Sequence, residues 1–117
     1  MDTIGQIDAF FSGKPERWAL FDVLQRALQC IYPDMQLRVM KTCIVIEDPN
    51  PFLYVSFPPR KRIKGLWLSI SLHEAMEHPR IAVLVPVSRT RYTAHVHLED
   101  EQRINRELLE LITLGHR

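Results

Sequence analysis

The chain has 117 residues, of which 46% are hydrophobic and 25% charged, and its formal net charge at pH 7 is +1. This length and balance are typical of one globular domain, and they argue against a disordered chain. The near-zero net charge excludes a polyelectrolyte held to nucleic acid or membrane by bulk charge. We therefore expect residues 1–117 to form a single domain.

Compartment signals are few. No apolar run approaches the roughly 20 residues of a transmembrane helix. The first residues, with Asp2 among them, lack the basic start of a secretory signal peptide. Cys30 and Cys43 fall in a predicted helix and a predicted strand, where we expect free buried thiols rather than a disulfide. The sequence thus predicts a cytoplasmic protein without membrane attachment, and it indicates no cofactor.

Helical spacing of apolar residues predicts two helices at the start of the chain. The first covers residues 3–12 and ends at Gly13. Pro15 suits the first position of the second, which covers residues 15–31. The second helix has an apolar stripe broad enough to pack on a sheet: Leu20, Phe21, Leu24, Ala27, Leu28 and Ile31.

The middle of the chain is rich in Val, Ile, Thr and aromatic residues, interrupted by Pro, Asn and Gly. These runs predict strands over 36–47, 52–58, 65–73 and 92–98. Residues 81–87 predict a fifth strand at an edge of the sheet, because Pro86 lacks a backbone N–H. The polar residues 74–80 predict a short helix or a loop.

A third helix is predicted over residues 101–114, with Asp100 as its N-cap and Gly115 at its end. Its apolar face comprises Ile104, Leu108, Leu111 and Ile112. The whole order predicts an α+β fold with a mostly antiparallel sheet of four or five strands, two N-terminal helices and one C-terminal helix.

Alternation along three of the predicted strands divides the sheet into two faces. The inward set is Leu53, Val55, Phe57, Leu66, Leu68, Ile70, Leu72, Tyr92, Ala94, Val96 and Leu98. Phe52 falls on the opposite side. So do eight further residues, which we call the outer face: Tyr54, Ser56, Trp67, Ser69, Ser71, Thr93, His95 and His97.

A polar face that carries Tyr and Trp needs an explanation, because exposed tryptophans are uncommon in a monomer. Cover by an N-terminal helix or by a second copy of the chain is one interpretation; base stacking on Tyr54 and Trp67 is another. We favour a non-enzymatic module that binds a protein partner through this face, as a homodimer. Tyr54 and Trp67 are then the anchors, with Ser69, His95 and His97 around them.

Clustered cations support a nucleic-acid-binding alternative. Arg60, Lys61, Arg62 and Lys64 lie on a predicted hairpin tip, and Arg89 and Arg91 precede the last strand. Clustered cations of this kind neutralise phosphates, although a charged hairpin tip is also typical of a solvated turn.

Histidines suggest a second alternative, a metal or enzymatic site. His95 and His97 have the spacing of metal ligands on a strand, with His73 as a third ligand and Glu47 within possible reach. Ser69 or Ser71 beside a histidine suggests a nucleophile and its base. Catalytic serines usually sit on a strained turn, however, and these lie within a strand. We predict no metal ligand and no catalytic residue.

Several segments carry a resemblance: Trp18-x-Leu20-Phe21-x-x-Leu24, Lys41-Thr42 before a strand, the Phe52–Phe57 and Leu66–Leu72 strands, Thr93-x-His95-Val96, and the acidic run Glu99–Ile104. Over about residues 16–114 the chain resembles a family of small uncharacterised bacterial domains, sometimes labelled predicted transport proteins. The resemblance implies a compact α+β domain, found alone or attached to larger proteins, with no agreed catalytic residues. Residues 74–91 depart most from the pattern.

Overall fold

A computed structural model describes residues 3–116 as three α-helices and one antiparallel sheet of six strands. The helices are α1 (Thr3–Phe10), α2 (Pro15–Ile31) and α3 (Arg106–His116). The strands are β1 (Gln36–Val39), β2 (Ile44–Glu47), β3 (Pro51–Ser56), β4 (Leu66–Leu72), β5 (Val83–Ser88) and β6 (Arg91–Leu98). They lie in the order β1-β2-β3-β4-β6-β5. The α+β class is confirmed, with six strands instead of four or five.

All three helices pack on one face of the sheet. Helix α1 contacts β1, α2 contacts β4, and α3 contacts β3 and β4. Apolar side chains of the helices and of the inward sheet face form one core, in which Phe21 and Leu108 are fully buried. The opposite face of the sheet has no helical layer within residues 3–116. No helix in that range is long and apolar enough to cross a membrane.

The predicted strand over 36–47 is wrong, because the chain reverses in its middle. Strands β1 and β2 form a hairpin, and the Met40 N–H donates to the Cys43 carbonyl at 2.8 Å across the turn. None of the four turn residues is Gly, Pro, Asn or Asp, so the sequence gives no turn signal there. Both thiols are free, as expected, but Cys43 is half-buried in this turn and Cys30 is exposed on α2.

Phe52 belongs to the core and not to the opposite side. Its side chain is only 1% exposed. Its ring packs against the rings of Tyr32 and His116, with centroids 5.1 and 4.9 Å away. The register between β2 and β3 shifts at Ile46 and Glu47, which breaks strict alternation where β3 begins.

Residues 74–80 form a loop rather than a helix, and β5 lies at the edge of the sheet as predicted. Arg80 is the one buried charged side chain among the described residues. Its guanidinium donates to Asn105 Oδ1 at 3.1 Å and to the Arg103 carbonyl at 2.9 Å. These bonds hold the loop against the start of α3.

The predicted last helix over 101–114 is replaced by two shorter helices. Asp100 caps a 3₁₀-helix (Glu101–Arg103) by accepting from the Gln102 N–H at 3.0 Å. Asn105 caps α3, since its Oδ1 accepts from the Leu108 N–H at 3.1 Å. Gly115 lies inside α3 and does not end it, because the helix continues to His116.

Candidate binding face

Strand register brings the eight residues of the outer face together on three neighbouring strands. Three rows cross β3, β4 and β6: Ser56–Trp67–His97, Tyr54–Ser69–His95, and Ser71–Thr93 on β4 and β6 alone. Because the rows are consecutive, the side chains form one continuous surface.

Trp67 and His95 form the centre of the outer face. Their rings stack with centroids 5.5 Å apart and an interplanar angle of 17°. Ser69 Oγ and His95 Nδ1 are hydrogen-bonded at 2.9 Å. Burial lowers the pKa of His95 from its ordinary value of 6.5, so its imidazole is neutral at pH 7.

Three more polar side chains of the outer face, those of His97, Ser56 and Ser71, already have partners. His97 Nε2 donates to the Lys64 carbonyl at 2.7 Å, and the Ser56 hydroxyl donates to the Trp67 carbonyl at 3.2 Å. Arg91 donates to Ser71 Oγ at 3.3 Å. A partner can therefore cover this face without leaving these groups unpaired, which removes a large cost of burying polar surface.

Charged side chains lie at the rim of the outer face and not at its centre. Its eight residues include no carboxylate, lysine or arginine. Glu47 lies towards the β1 side and is paired with Arg38 at 3.2 Å. Arg91 lies at the far end of β6, where it meets Ser71.

Two exposed valines of β5 extend the outer face, and the sequence analysis missed them. Val83 lies beside His95 and is 46% exposed, while Val85 lies beside Thr93 and is 39% exposed. The run from Ile81 is uniformly apolar, so alternation cannot tell which of its side chains face solvent.

The predicted cations divide into two groups. Arg60, Lys61, Arg62 and Lys64 are all exposed in the loop between β3 and β4. Arg89 and Arg91 lie at the other end of β6 from that loop. Six residues of extended chain separate Arg91 from His97, which corresponds to about 20 Å. The structure therefore does not bring Arg89 and Arg91 close to the four cations of the β3–β4 loop.

Two further cations do approach the β3–β4 loop, from the start of α2. Arg17 donates to the Ile63 carbonyl at 3.0 Å. Lys14 and Lys61 line the same groove as Arg17, with a volume of about 520 Å³. Lys14 and Lys61 are 47 positions apart in the sequence, so only tertiary packing brings them together.

The three histidines are not assembled into a metal site. His73 follows β4, four positions beyond Ser69 and therefore about 13 Å along the strand from the row of His95. Between residues 3 and 116, no group of three or more His, Cys, Asp or Glu side chains is placed to hold a metal ion.

Ser69 and His95 are hydrogen-bonded, but their setting is not that of a nucleophile and its base. Ser69 lies in the middle of β4, which pairs with β3 on one side and β6 on the other. Its neighbouring backbone N–H groups serve these ladders, whereas an oxyanion hole needs N–H groups that are free to donate. We assign the pair a structural role.

The low pKa of His95 predicts a pH-dependent stability. The folded protein holds this imidazole neutral, so the unfolded chain binds the proton first as the pH falls below 6.5. The contribution of His95 to the free energy of unfolding is therefore complete above pH 6.5. It decreases as the pH falls from 6.5 through the pKa of His95 in the folded protein. We expect the loss of unfolding free energy between about pH 7.5 and pH 5 to be smaller in His95→Gln than in wild type. Urea denaturation measures it, and equal losses would contradict the prediction.

A family model matches most of this chain. A model of the domain of unknown function DUF5655 matches residues 7–117. No curated protein and no solved structure matches the chain. The match extends over nearly the whole chain, including all six strands and α2 and α3. The chain therefore belongs to the DUF5655 family.

Proposed function

We propose that this domain is a non-enzymatic, cytoplasmic binding module that forms a homodimer through its outer face. The observation that carries the proposal is the distribution of rings and charges. Trp67, Tyr54 and His95 form an uncharged centre, and the ionised side chains lie at the rim. Protein–protein interfaces have this anatomy, with aromatic residues enriched and charges depleted at the core.

The size of the face supports a second copy as its partner. The whole helix-free side of the sheet, of which the outer face is the centre, has six strands of four to eight residues about 4.8 Å apart and covers roughly 25 by 20 Å. Two such faces bury about 1,000 Å² in total, which meets the lower limit for a specific interface. Exposed Val83 and Val85 supply apolar surface within this area, at the β5 side.

The location is inferred from the cysteines. Cys30 and Cys43 are both free. Free thiols are typical of a reducing compartment, where disulfides rarely persist. This supports a cytoplasmic module and agrees with the absence of a disulfide in its core.

The oligomeric state tests the proposal. We expect light scattering to give wild type a mass of twice 13.7 kDa, with dissociation on dilution. Trp67→Glu places a charge at the centre of the face and should weaken the dimer by about 30-fold or more. Ile4→Glu is the matched control, because Ile4 is an exposed apolar residue of α1 on the helical side.

Two results would overturn this proposal. One is a wild-type mass of 13.7 kDa at every concentration. The other is a Trp67→Glu dimer as tight as that of Ile4→Glu, with far-ultraviolet circular dichroism showing both variants folded.

A further inference from the structure

Six cationic side chains surround the place where the β3–β4 loop meets the start of α2. We call this surface the cationic corner; it comprises Lys14, Arg17, Arg60, Lys61, Arg62 and Lys64. The four loop residues are exposed, and the two residues at the start of α2 are half-buried. The groove of about 520 Å³ described above opens among them, with Glu16 as the carboxylate that lines it.

Two of these cations are held in place by an aromatic ring. Lys14 Nζ lies 5.0 Å and Arg17 Cζ 5.2 Å from the centroid of Phe57. Phe57 itself stacks on Phe10 at 4.9 Å. Cation–π contact and the hydrogen bond to Ile63 order these side chains but leave their positive charge in place.

Carboxylates lie beside the cationic corner without pairing with it: Glu16, Glu99, Asp100 and Glu101 line a second groove together with Arg17 and Lys64. None of its six side chains joins an ion pair with another described residue. Six of the fourteen described Lys and Arg residues lie here, so outside the corner and its Glu16 the described residues include eight cations and twelve carboxylates. A chain of net charge +1 therefore concentrates its unpaired cations at this loop, with acidic residues along one neighbouring groove.

We propose that the cationic corner binds the phosphate backbone of nucleic acid without sequence preference. Interfaces with nucleic acid are more polar and more positive than those between proteins, which have an apolar centre. Ile63 is the one large apolar side chain exposed on this loop. A lipid surface takes up several apolar side chains as well as charge, so one isoleucine favours nucleic acid. Arginine, half of the set, binds phosphate oxygens bidentately.

The corner adjoins the outer face, where His97 donates to the Lys64 carbonyl, but its cations are different side chains, so this inference does not depend on the homodimer. Its phosphate contacts come from the loop and from α2, whereas the dimer uses β3, β4 and β6. Trp67→Glu, which should break the dimer, should leave binding at the corner in place. The two proposals therefore fail separately.

Fluorescence anisotropy with a labelled single-stranded DNA of about twenty nucleotides tests the inference. We expect saturable binding whose log affinity falls with log salt at a slope of about −3 to −4, corresponding to four to six neutralised phosphates. Arg60→Glu with Arg62→Glu should reduce affinity at low salt by at least about tenfold and make the slope shallower by about 1.4.

Arg26→Glu with Arg89→Glu is the matched control, because it makes the same charge change at exposed positions away from the corner. The control should keep its affinity within about threefold of wild type. Thermal unfolding should show both double variants folded, and alanine at Arg60 and Arg62 should give an intermediate loss. Absence of wild-type binding, an equal loss in both pairs, or binding to phosphatidylserine vesicles without binding to DNA would each overturn the proposal.

Discussion

Gly65→Ala is expected to lower the free energy of unfolding by about 3 to 5 kcal/mol. Gly65 precedes β4 and has a φ of +91°, in the region that side chains rarely adopt. A methyl group there would also overlap the Leu98 carbonyl oxygen at the end of β6. Backbone cannot move aside without breaking the β4–β6 ladder, so strain and steric overlap add together.

Gly13→Ala is the matched control. Gly13 has a φ of +75°, but an added Cβ meets nothing within 4 Å. This variant should cost only about 1 kcal/mol, from the backbone conformation alone. Urea denaturation of both variants separates the two contributions. Equal losses at Gly13 and Gly65 would show that close packing of β4 on β6 contributes nothing.

Phe21→Ala should cost about 3 to 5 kcal/mol, through lost burial and the cavity that remains. The side chain is 0% exposed, and its ring lies 5.4 Å from that of Phe11. Phe21 lies on α2 and contacts both Phe11, which follows α1, and the core of the sheet. Deleting it should therefore weaken the contact of both N-terminal helices with the core.

Ile31→Ala serves as the control on the same helix. Ile31 is 43% exposed at the last residue of α2, although the predicted apolar stripe includes it. Its replacement should change the unfolding free energy by less than about 1 kcal/mol. A loss below about 1 kcal/mol at Phe21 would mean that α2 packs through a different face.

Where one face of a strand is buried, the sequence predicts the structure closely. Along β4, leucine or isoleucine at every second position is buried and the residues between them are half-buried. The register of β3, β4 and β6 then follows from the shared inward face, since a slip by one residue would expose it. For this reason the outer face could be derived before its geometry was known.

Where the structure differs from the predicted elements, the difference has a local physical cause. Nothing in Met40–Cys43 signals a turn, so the β1–β2 hairpin looked like one strand. The register between β2 and β3 shifts between Ile46 and Glu47, and this shift directs Phe52 to the core. Strict alternation along the strand does not predict it. Asn105 displaced Asp100 as the cap of α3 because a 3₁₀-helix intervenes.

The outer face can be predicted from the sequence, whereas the cationic corner cannot be predicted in full. Tyr54, Trp67 and His95 meet through neighbouring strands, and strand parity suffices to group them. The cationic corner joins Lys14, which precedes α2, and Arg17 of α2 to the distant 60–64 loop. The corner forms only because the start of a helix packs against a loop. Sequence periodicity does not predict such a contact.

Hydroxyl-radical footprinting tests whether a second copy covers the outer face. The wild-type protein is compared at low and at high concentration. We expect oxidation of Tyr54 and Trp67 to slow several-fold at high concentration. Cys30, an exposed side chain of α2 on the helical side, is the internal reference and should be oxidised equally in both. If Tyr54 and Trp67 are oxidised at the same rate at both concentrations, the outer face is not a homodimer interface.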